Sequence, residues 1–225
     1  MVHRKNLPNT ASVANYESNG RLNAPSAARN ATPIVELVRK TAIKSGKALE
    51  IASGTGQHIV QLASALPHIS WQPSDVDAAR IKSIRCWSDD QYLANLKPPC
   101  LLDATAEGWA AEYHGQDLIL LVNLLHLIST KETKILVEEM SKALNSNGLS
   151  IIYGPFMRSG KLTSKSDMEF HQSLINADTD LGYKNDIDML NLFCEAGLVH
   201  LSTEKMPANN LAFILQKPWI GLSIQ

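Results

Sequence analysis

Residues 48–58 read Ala-Leu-Glu-Ile-Ala-Ser-Gly-Thr-Gly-Gln-His, a short apolar run followed by a turn that contains two glycines. The run is typical of a buried β-strand, and beyond the turn apolar residues recur with helical spacing, at positions 59, 60, 62, 63 and 66. We therefore predict a strand, a glycine turn and a helix. Glycines let a turn approach a ligand closely, and the N-terminus of the helix offers unpaired N–H groups to an anion.

The alternation of strands and helices continues along the chain. Strands are predicted at 68–74, 100–102, 118–122 and 149–153, and helices at 78–93 and 131–144, with an earlier helix that begins at Thr32 and Pro33. Residues 166–169 form a capping box that should start another helix, and a helix at 186–195 precedes a hairpin of strands 199–205 and 211–216. The pattern predicts a Rossmann-like α/β fold, with a mostly parallel, doubly wound sheet of about seven strands and an antiparallel C-terminal hairpin.

The length of 225 residues suits one domain with a full core. We expect residues 1–26 to form an irregular arm, because polar residues, proline and glycine occur there without periodicity. Residues 27–217 then form the single domain, and residues 218–225 form a C-terminal tail.

Charge and composition restrict the partners. The chain has 21 basic and 22 acidic side chains, so it lacks the basic excess of most nucleic-acid-binding proteins, and no nucleic-acid partner is expected. Residues 1–20 lack the apolar segment of a signal peptide, and the apolar stretch 118–128 is too short to span a bilayer. We expect a cytoplasmic protein with no membrane partner, and a homodimer is one assembly compatible with the sequence.

The cysteines and histidines do not suggest a metal site. Cys86, Cys100 and Cys194 are odd in number and form no Cys-x-x-Cys motif, and the seven histidines are scattered along the chain. Free buried thiols and no bound metal are therefore expected.

Two aspartates stand where a nucleoside would be held. Asp75 follows the second predicted strand and suits both hydroxyls of a ribose, and Asp103 follows the third strand and suits the amine of an adenine. A dinucleotide fingerprint would have a third glycine where Ile59 stands, so a nicotinamide-dependent reductase is disfavoured. Glu50 suits the ammonium of a methionine group, held directly or through a water molecule. The combination predicts S-adenosylmethionine as the cofactor.

Several literal blocks of sequence resemble one family. The blocks are Ala24-Pro25 with Arg29-Asn30, then residues 49–58, 71–75, 153–156 and 206–210. They resemble a poorly characterised methyltransferase-like family catalogued under a domain of unknown function, whose animal member is called methyltransferase-like protein twenty-six. The resemblance covers about residues 21–216, and it implies a class I methyltransferase fold with S-adenosylmethionine as cofactor, without fixing the reaction. The chain departs from the family at Leu127-Ile128, where a Pro-Trp pair is usual, and at Ser166-Asp167 and Phe170-His171 in the later helix.

The glycine turn, the strand-end aspartates and the resemblance together give a candidate site. The expected cofactor-binding residues are Arg29, Asn30, Glu50, Ala52, Ser53, Gly54, Gly56, Gln57, Asp75, Asp103, Ala104 and Asn123. Gly56 is expected to border the approach of the ligand, so that a larger side chain there would block it. Arg29 and Asn30 have an alternative interpretation as a solvated helix start, with Asn30 as the cap.

Three further residues are candidates for the acceptor side. His126 follows the fourth strand and suits a general base, in which case activity should rise through the titration of a histidine near about pH 6–7. Tyr153 and Asn210 suit hydrogen bonds to the substrate. The alternatives are a structural loop histidine, a packed tyrosine and a plain turn asparagine.

The sequence thus predicts an S-adenosylmethionine-dependent methyltransferase that acts on a small-molecule acceptor. A non-catalytic regulatory or interaction module that binds the same cofactor is the alternative, because the departures from the family fall on the acceptor side.

Overall fold

The computed structural model describes residues 14–17, 19–41 and 43–219. Its helices are Pro25–Lys40 (α1), Gln57–Ala65 (α2), Ala78–Asp89 (α3), Thr130–Ala143 (α4), Lys165–Ala177 (α5) and Asp186–Glu195 (α6). Its strands are Asn15–Tyr16 (β1), Leu22–Asn23 (β2), Gly46–Ile51 (β3), Ile69–Asp75 (β4), Cys100–Leu101 (β5), Gln116–Val122 (β6), Leu144–Met157 (β7), Lys184–Asn185 (β8), Val199–Lys205 (β9) and Asn210–Gln216 (β10).

The central sheet has the strand order β5-β4-β3-β6-β7-β10-β9, and the short strand β8 pairs with the end of β7. The pairs from β5 to β7 are parallel, whereas β10 runs antiparallel to both β7 and β9. The predicted α/β class, the mostly parallel sheet and the C-terminal hairpin are therefore confirmed. The order reverses between β3 and β6, and in open α/β sheets ligands collect at the carboxyl ends of the strands beside such a reversal.

Strand β6 shows why the sheet is buried on both faces. Leu118 and Leu120 pack into the apolar cluster beneath α1 and α2, and Ile119 and Leu121 pack into the cluster beneath α4 and α6. All four side chains are fully buried. A continuous apolar run is the sequence that a parallel strand between two helical layers requires.

Two predicted helix starts are wrong. Helix α1 begins at Pro25, which occupies its first turn, and Pro33 lies inside the helix and not at its start. Asn30 consequently lies within α1 and does not cap it. Helix α5 is capped by Ser164, whose Oγ accepts from Asp167 N at 3.1 Å, two residues before the predicted cap.

The described part of the expected irregular arm has structure. Strands β1 and β2 pair in antiparallel fashion, and β2 is bonded to α3 through Leu22 N, which donates to Ser83 Oγ at 2.8 Å. Trp87 Nε1 donates to Leu22 O at 3.0 Å, and the Arg21 guanidinium lies 4.5 Å from the centre of the Trp87 ring. Residues 1–13 of the arm and 220–225 of the predicted tail lie outside the described residues.

The structure also describes the cysteines, the length of the helices and the grouping of possible metal ligands. Cys86, Cys100 and Cys194 are free thiols, as predicted, but the expectation that they are buried is wrong, because Cys86 and Cys100 are partly exposed and Cys194 is exposed. Within the described ranges, no helix combines the length and apolarity needed to cross a bilayer. The same ranges contain no group of three or more His, Cys, Asp or Glu side chains arranged to hold a metal ion.

Gly56 packs the glycine turn against α3. It has φ 95°, and a Cβ there would lie 2.9 Å from Ile84 Cα and 3.3 Å from Ile84 Cγ1. The expectation that a side chain at Gly56 would block the approach of the ligand is therefore wrong, because its missing side chain faces a neighbouring helix. Gly54, with φ 60°, has only Ala52 O near its missing Cβ, at 3.9 Å.

Gly56→Ala should lower the free energy of unfolding by about 2–4 kcal/mol, because a positive φ is combined with overpacking against a backbone atom. Gly108→Ala is the matched control, since Gly108 has φ 91° and nothing within 4 Å of its missing Cβ. The free energy of unfolding of that variant should fall by only about 1–2 kcal/mol, the cost of placing a residue with a Cβ in a left-handed conformation. Urea denaturation of both variants measures the difference, and equal losses would contradict the packing role of Gly56.

Candidate functional site

A cavity of about 790 Å³ opens at the carboxyl ends of the parallel strands. Its wall is formed by the turns that follow β3, β4, β5 and β6, by the first two turns of α1, and by residues near the starts of α5 and β10. Pockets for ligands of drug-like size have volumes of roughly 300–1,000 Å³. The cavity lies where the strand order reverses, as the topology of the sheet requires.

The turn after β3 is attached directly to the end of β4. Ser53 N donates to Ser74 O at 2.8 Å, and Gly54 N donates to Asp75 Oδ2 at 2.9 Å. Ala52 and Gly54 both have positive φ, at 54° and 60°, which turns the chain sharply at the cavity wall. The residues that line the cavity here are Ala52, Ser53, Gly54, Thr55 and Asp75.

Asp75 connects the loops and also faces the cavity. Its Oδ2 holds Gly54 N and its Oδ1 accepts from Asp77 N at 3.0 Å. A carboxylate has about four acceptor positions, so further acceptor positions remain beside the two that the backbone uses. Burial raises the pKa of Asp75 above its ordinary value, although its backbone hydrogen bonds oppose this shift.

Asp103, Ala104 and Asn123 line the same cavity. Asp103 Oδ1 accepts from both the backbone N and the hydroxyl of Thr105, at 3.1 and 2.6 Å. Asn123, directly after β6, has φ 57°, and its backbone N donates to Tyr153 O at 2.9 Å. The predicted strand-end positions of Asp103 and Asn123 are thus brought together with Asp75.

Glu50 lies behind the cavity wall, not on it. Its side chain is 1 % exposed, and neither carboxyl oxygen has a hydrogen-bond partner among the described residues. Burial raises the pKa of Glu50 to about 8, and the negative charge of Asp75 acts in the same direction. The carboxyl group is therefore mostly protonated at neutral pH, unlike the ammonium-binding carboxylate that the sequence suggests.

Gln57 and Tyr153 also lie behind the lining residues. Gln57 Oε1 accepts from Ala24 N at 2.7 Å and from Thr55 Oγ1 at 2.9 Å, so it joins the start of α1 to the glycine turn. Tyr153 is fully buried and its hydroxyl accepts from Asn210 Nδ2 at 3.0 Å. Asn210 itself lines the cavity.

Helix α1 places Arg29 and Asn30 on the cavity wall, next to the glycine turn. His58 of α2 holds this end of α1, because its Nε2 lies 3.1 Å from Ala27 O, and a carbonyl only accepts. Burial lowers the pKa of His58 to about 4, so the ring is neutral with its proton on Nε2. His58 lines the cavity and was not predicted from the sequence.

His126 lies on the wall in the segment after β6 and is 5 % exposed. Burial and the positive charge of Lys184 lower the pKa of His126 to about 3, and Nδ1 has no partner among the described residues. The expected titration near pH 6–7 is therefore wrong, because the buried imidazole is already neutral there. Phe170 and Tyr183 contact this ring edge to face, with centroid distances of 5.7 and 6.2 Å.

Phe170 and Tyr183 line the cavity, and no local sequence pattern indicates this placement. In the sequence, Phe170 was singled out only as a difference from the resembled family. Tyr183, in the connection between α5 and α6, was not singled out at all. Both reach the cavity through tertiary packing of α5 onto the loop after β6.

Comparisons with known proteins agree with this geometry. A family model described as a protein of unknown function, DUF938, matches residues 21–217, and the chain belongs to that family. The predicted membership of a family of unknown function is confirmed at that level.

Solved structures of methyltransferases share the fold. An O-methyltransferase family protein from Burkholderia thailandensis superposes with a TM-score of 0.73 at 15 % identity, covering 86 % of this chain and 57 % of that one. A putative O-methyltransferase from Nostoc punctiforme gives 0.75 at 20 % identity, with the same coverages of 86 % and 57 %. PigF, solved with SAH, gives 0.69 at 18 % identity, covering 83 % and 55 %. The chain thus spans little more than half of the length of these proteins.

Glu50 should make the folded protein lose stability as the pH rises. Its folded pKa of about 8 lies above its ordinary value of 4.5, so the folded state holds a proton that the unfolded state releases. Its contribution is fully present below about pH 4.5 and is lost as the pH rises through about 8.

Glu50→Gln removes this titration and keeps the shape of the protonated carboxyl. The variant should match the wild type near pH 4 and exceed its free energy of unfolding by roughly 2–4 kcal/mol near pH 8. Urea denaturation at several pH values provides the measurement. Parallel pH profiles for the two proteins would show that Glu50 is ionised in the folded state.

Proposed function

We propose that this DUF938 protein is an S-adenosylmethionine-dependent methyltransferase that acts on a small-molecule acceptor. The observation that carries the proposal is the position of Asp75, which faces a cavity of ligand size while it holds the glycine turn at the reversal of the sheet. The fold shared with proteins such as PigF, whose structure contains SAH, and NcsB1, solved with S-adenosylmethionine and a naphthoic acid, supports it.

The cofactor would lie along the ends of β3, β4 and β5. Asp75 has acceptor positions for the ribose hydroxyls, and Asp103 Oδ2 is available to an adenine amine because only Oδ1 is used by Thr105. The methionine end would follow Ala52 and Gly54 toward α1, whose Arg29 lines the cavity and makes no ion pair with the described residues.

Glu50 fits the water-mediated form of the contact that its position in the sequence suggests. Since it lies behind the wall, we assign its contact with an ammonium group to a bridging water. A cation held near a buried carboxyl lowers the pKa of that group, so binding would be accompanied by release of a proton from Glu50.

Catalysis requires that the acceptor be held in line with the methyl group that the bound cofactor supplies on its sulfonium. His126 lies on the wall after β6 and is neutral at physiological pH. Its imidazole can therefore accept the proton that an O–H or N–H acceptor loses as the new bond to carbon forms. A pKa of about 3 makes it a weak base, which suits hydrogen bonding and orientation of the acceptor.

The function is tested by binding and turnover measured on the same preparation. Calorimetry with S-adenosylmethionine, S-adenosylhomocysteine and nicotinamide dinucleotides identifies the cofactor, and radiolabelled methyl transfer into a metabolite extract tests catalysis. Cofactor binding with transfer is the expected result. Binding without transfer would favour the non-catalytic module, and selective binding of a dinucleotide would contradict the proposal.

Asp75→Ala should weaken binding of S-adenosylhomocysteine by roughly 1.5–3 kcal/mol, because hydrogen bonds to a charged group are lost. Asp75→Asn, which better preserves the loop, should lose a large part of the same affinity. Asp77→Asn is the matched control, since Asp77 also lines the cavity but caps α3 by accepting from Ala79 N at 2.7 Å, a role that Asn fulfils. Calorimetry on folded variants measures the effect, and unchanged affinity in both Asp75 variants would remove this residue from the site.

His126→Ala should lower turnover by roughly 10²-fold, the low end of the range for a positioned base, and leave cofactor affinity intact. Between about pH 5 and 8 the wild type should show no activity limb from His126, because the neutral form is present throughout. His114→Ala changes an exposed histidine outside the cavity and serves as control. Steady-state kinetics across this range measure both effects, and joint loss of folding and activity would identify a structural histidine instead.

A further inference from the structure

The part of the cavity beyond the proposed cofactor residues has a different chemical character. We call it the acceptor subsite, and its wall consists of Leu124, His126, Leu127, Ile128, Glu132, Pro155, Phe170, Tyr183, Ala208 and Asn210. Most of these side chains are apolar or aromatic. The carboxylates Asp75, Asp77 and Asp103 and the cations Arg29 and Arg80 all lie on the elements that surround the glycine turn.

Three rings form one side of the acceptor subsite. The centroids of His126, Phe170 and Tyr183 lie 5.7 to 6.2 Å apart, with interplanar angles of 63° to 72°. Such edge-to-face arrangements leave ring surfaces for a further aromatic group to contact. The Tyr183 hydroxyl donates to Asp167 Oδ1 at 3.2 Å, and Asp167 does not line the cavity. The hydroxyl of Tyr183 therefore has its hydrogen-bond partner outside the cavity.

Asp167 fixes the geometry of this wall. Besides Tyr183, its carboxylate accepts from Thr163 Oγ1 at 2.6 Å and from Ser164 Oγ at 2.8 Å, both just before α5. It also accepts from Asn209 Nδ2 at 3.0 Å, which holds the β9–β10 turn. Asn209 has a left-handed backbone conformation, with φ 59°, and the neighbouring Ala208 lines the subsite.

Charge is nearly absent from the acceptor subsite. Among the described residues on its wall, Glu132 is the one ordinarily charged side chain, and its Oε2 accepts from Ser129 N and Ser129 Oγ, both at 2.7 Å. Lys184 lies off the wall, and its Nζ donates to Ile128 O at 2.8 Å and Gly182 O at 3.2 Å. An anion moved into this part of the cavity would lose hydration without a cation on the wall to replace it.

We propose that the acceptor subsite binds an uncharged molecule with a flat aromatic body, whose nucleophilic group lies against His126, and that Asp167 is the residue that positions its wall. This inference rests on the proposed methyltransferase function for the identity of the adjoining ligand. The proposed function names only a small-molecule acceptor, and this inference specifies that the acceptor is aromatic and neutral.

The test compares probes of the same shape and different charge. Binding of 1-naphthol and 2-naphthol, and of the corresponding naphthoates, is measured by ligand-observed NMR with the full chain, with and without saturating S-adenosylhomocysteine. The naphthols should bind at least tenfold more tightly than the naphthoates at about pH 7.5, where the acids are ionised. Equal or tighter binding of the naphthoates, or no binding of either naphthol, would overturn the proposal.

Variants locate the binding within the cavity. Phe170→Ala should weaken naphthol binding about tenfold or more without changing the affinity for S-adenosylhomocysteine, and Met168→Ala, on the exposed side of the same helix, should change neither. Asp167→Asn should weaken naphthol binding without changing the affinity for S-adenosylhomocysteine. Tyr183→Phe keeps the ring but removes its bond to Asp167, so it should reproduce part of that loss. Naphthol affinity insensitive to Phe170 and Asp167 in folded variants would place the probe elsewhere.

The proposed function and the acceptor class fail in different ways. If S-adenosylhomocysteine does not bind to the wild type, the methyltransferase function is contradicted, whatever the naphthols do. If S-adenosylhomocysteine binds and the naphthoates bind as well as the naphthols, the proposed cofactor is not contradicted and the aromatic, neutral acceptor is excluded.

Discussion

The hydrogen bond from Gly54 N to Asp75 Oδ2 is the contact on which the cavity depends. It joins the ends of β3 and β4, and the bond from Ser53 N to Ser74 O repeats the connection one residue earlier on both strands. Gly56 then places the start of α2 against α3, where a side chain would meet the Ile84 backbone. Two glycines in one turn therefore have separate tasks, since Gly54 leaves space at the cavity and Gly56 allows two helices to approach.

Three buried carboxyl groups show how partners, and not burial alone, determine protonation. Glu50 has no hydrogen-bond partner among the described residues, and desolvation raises its pKa to about 8. Asp75 is also desolvated, but its two backbone donors limit the rise. At Asp167 desolvation is outweighed by hydrogen bonds from neighbouring side chains, so its pKa lies below the ordinary value. In the proposed enzyme, the first is neutral until a cation binds, and the third is a permanent anion that orients its neighbours.

The sequence was sufficient where the signal was local. The apolar run of β6, the glycine turn and the aspartate that ends β4 each lie within a few residues of the feature they specify, and the structure has each of them as expected. The start of α1 was harder to predict, because Pro25 and Pro33 are both compatible with the first turn of a helix. The residue before Pro25 is held by a tertiary contact, the bond from Ala24 N to Gln57 Oε1, which no local pattern shows. The burial of Glu50 behind the cavity wall also results from tertiary packing, which no local sequence pattern predicts.

The two parts of the cavity differ in how the chain builds them. The proposed cofactor part comes from short turns at adjacent strand ends, so a small number of local residues define it. The acceptor subsite combines His126, Phe170, Tyr183 and Ala208, which come from four separate stretches of the chain. Asp167 of α5 joins three of these stretches through its bonds to Tyr183 and Asn209, and His126 contacts the rings of Phe170 and Tyr183. A substitution in one of these stretches can change the shape of the subsite without touching the glycine turn. Leu127, Ile128 and Phe170 line this second part, and none of them lies on the turn that Asp75 holds.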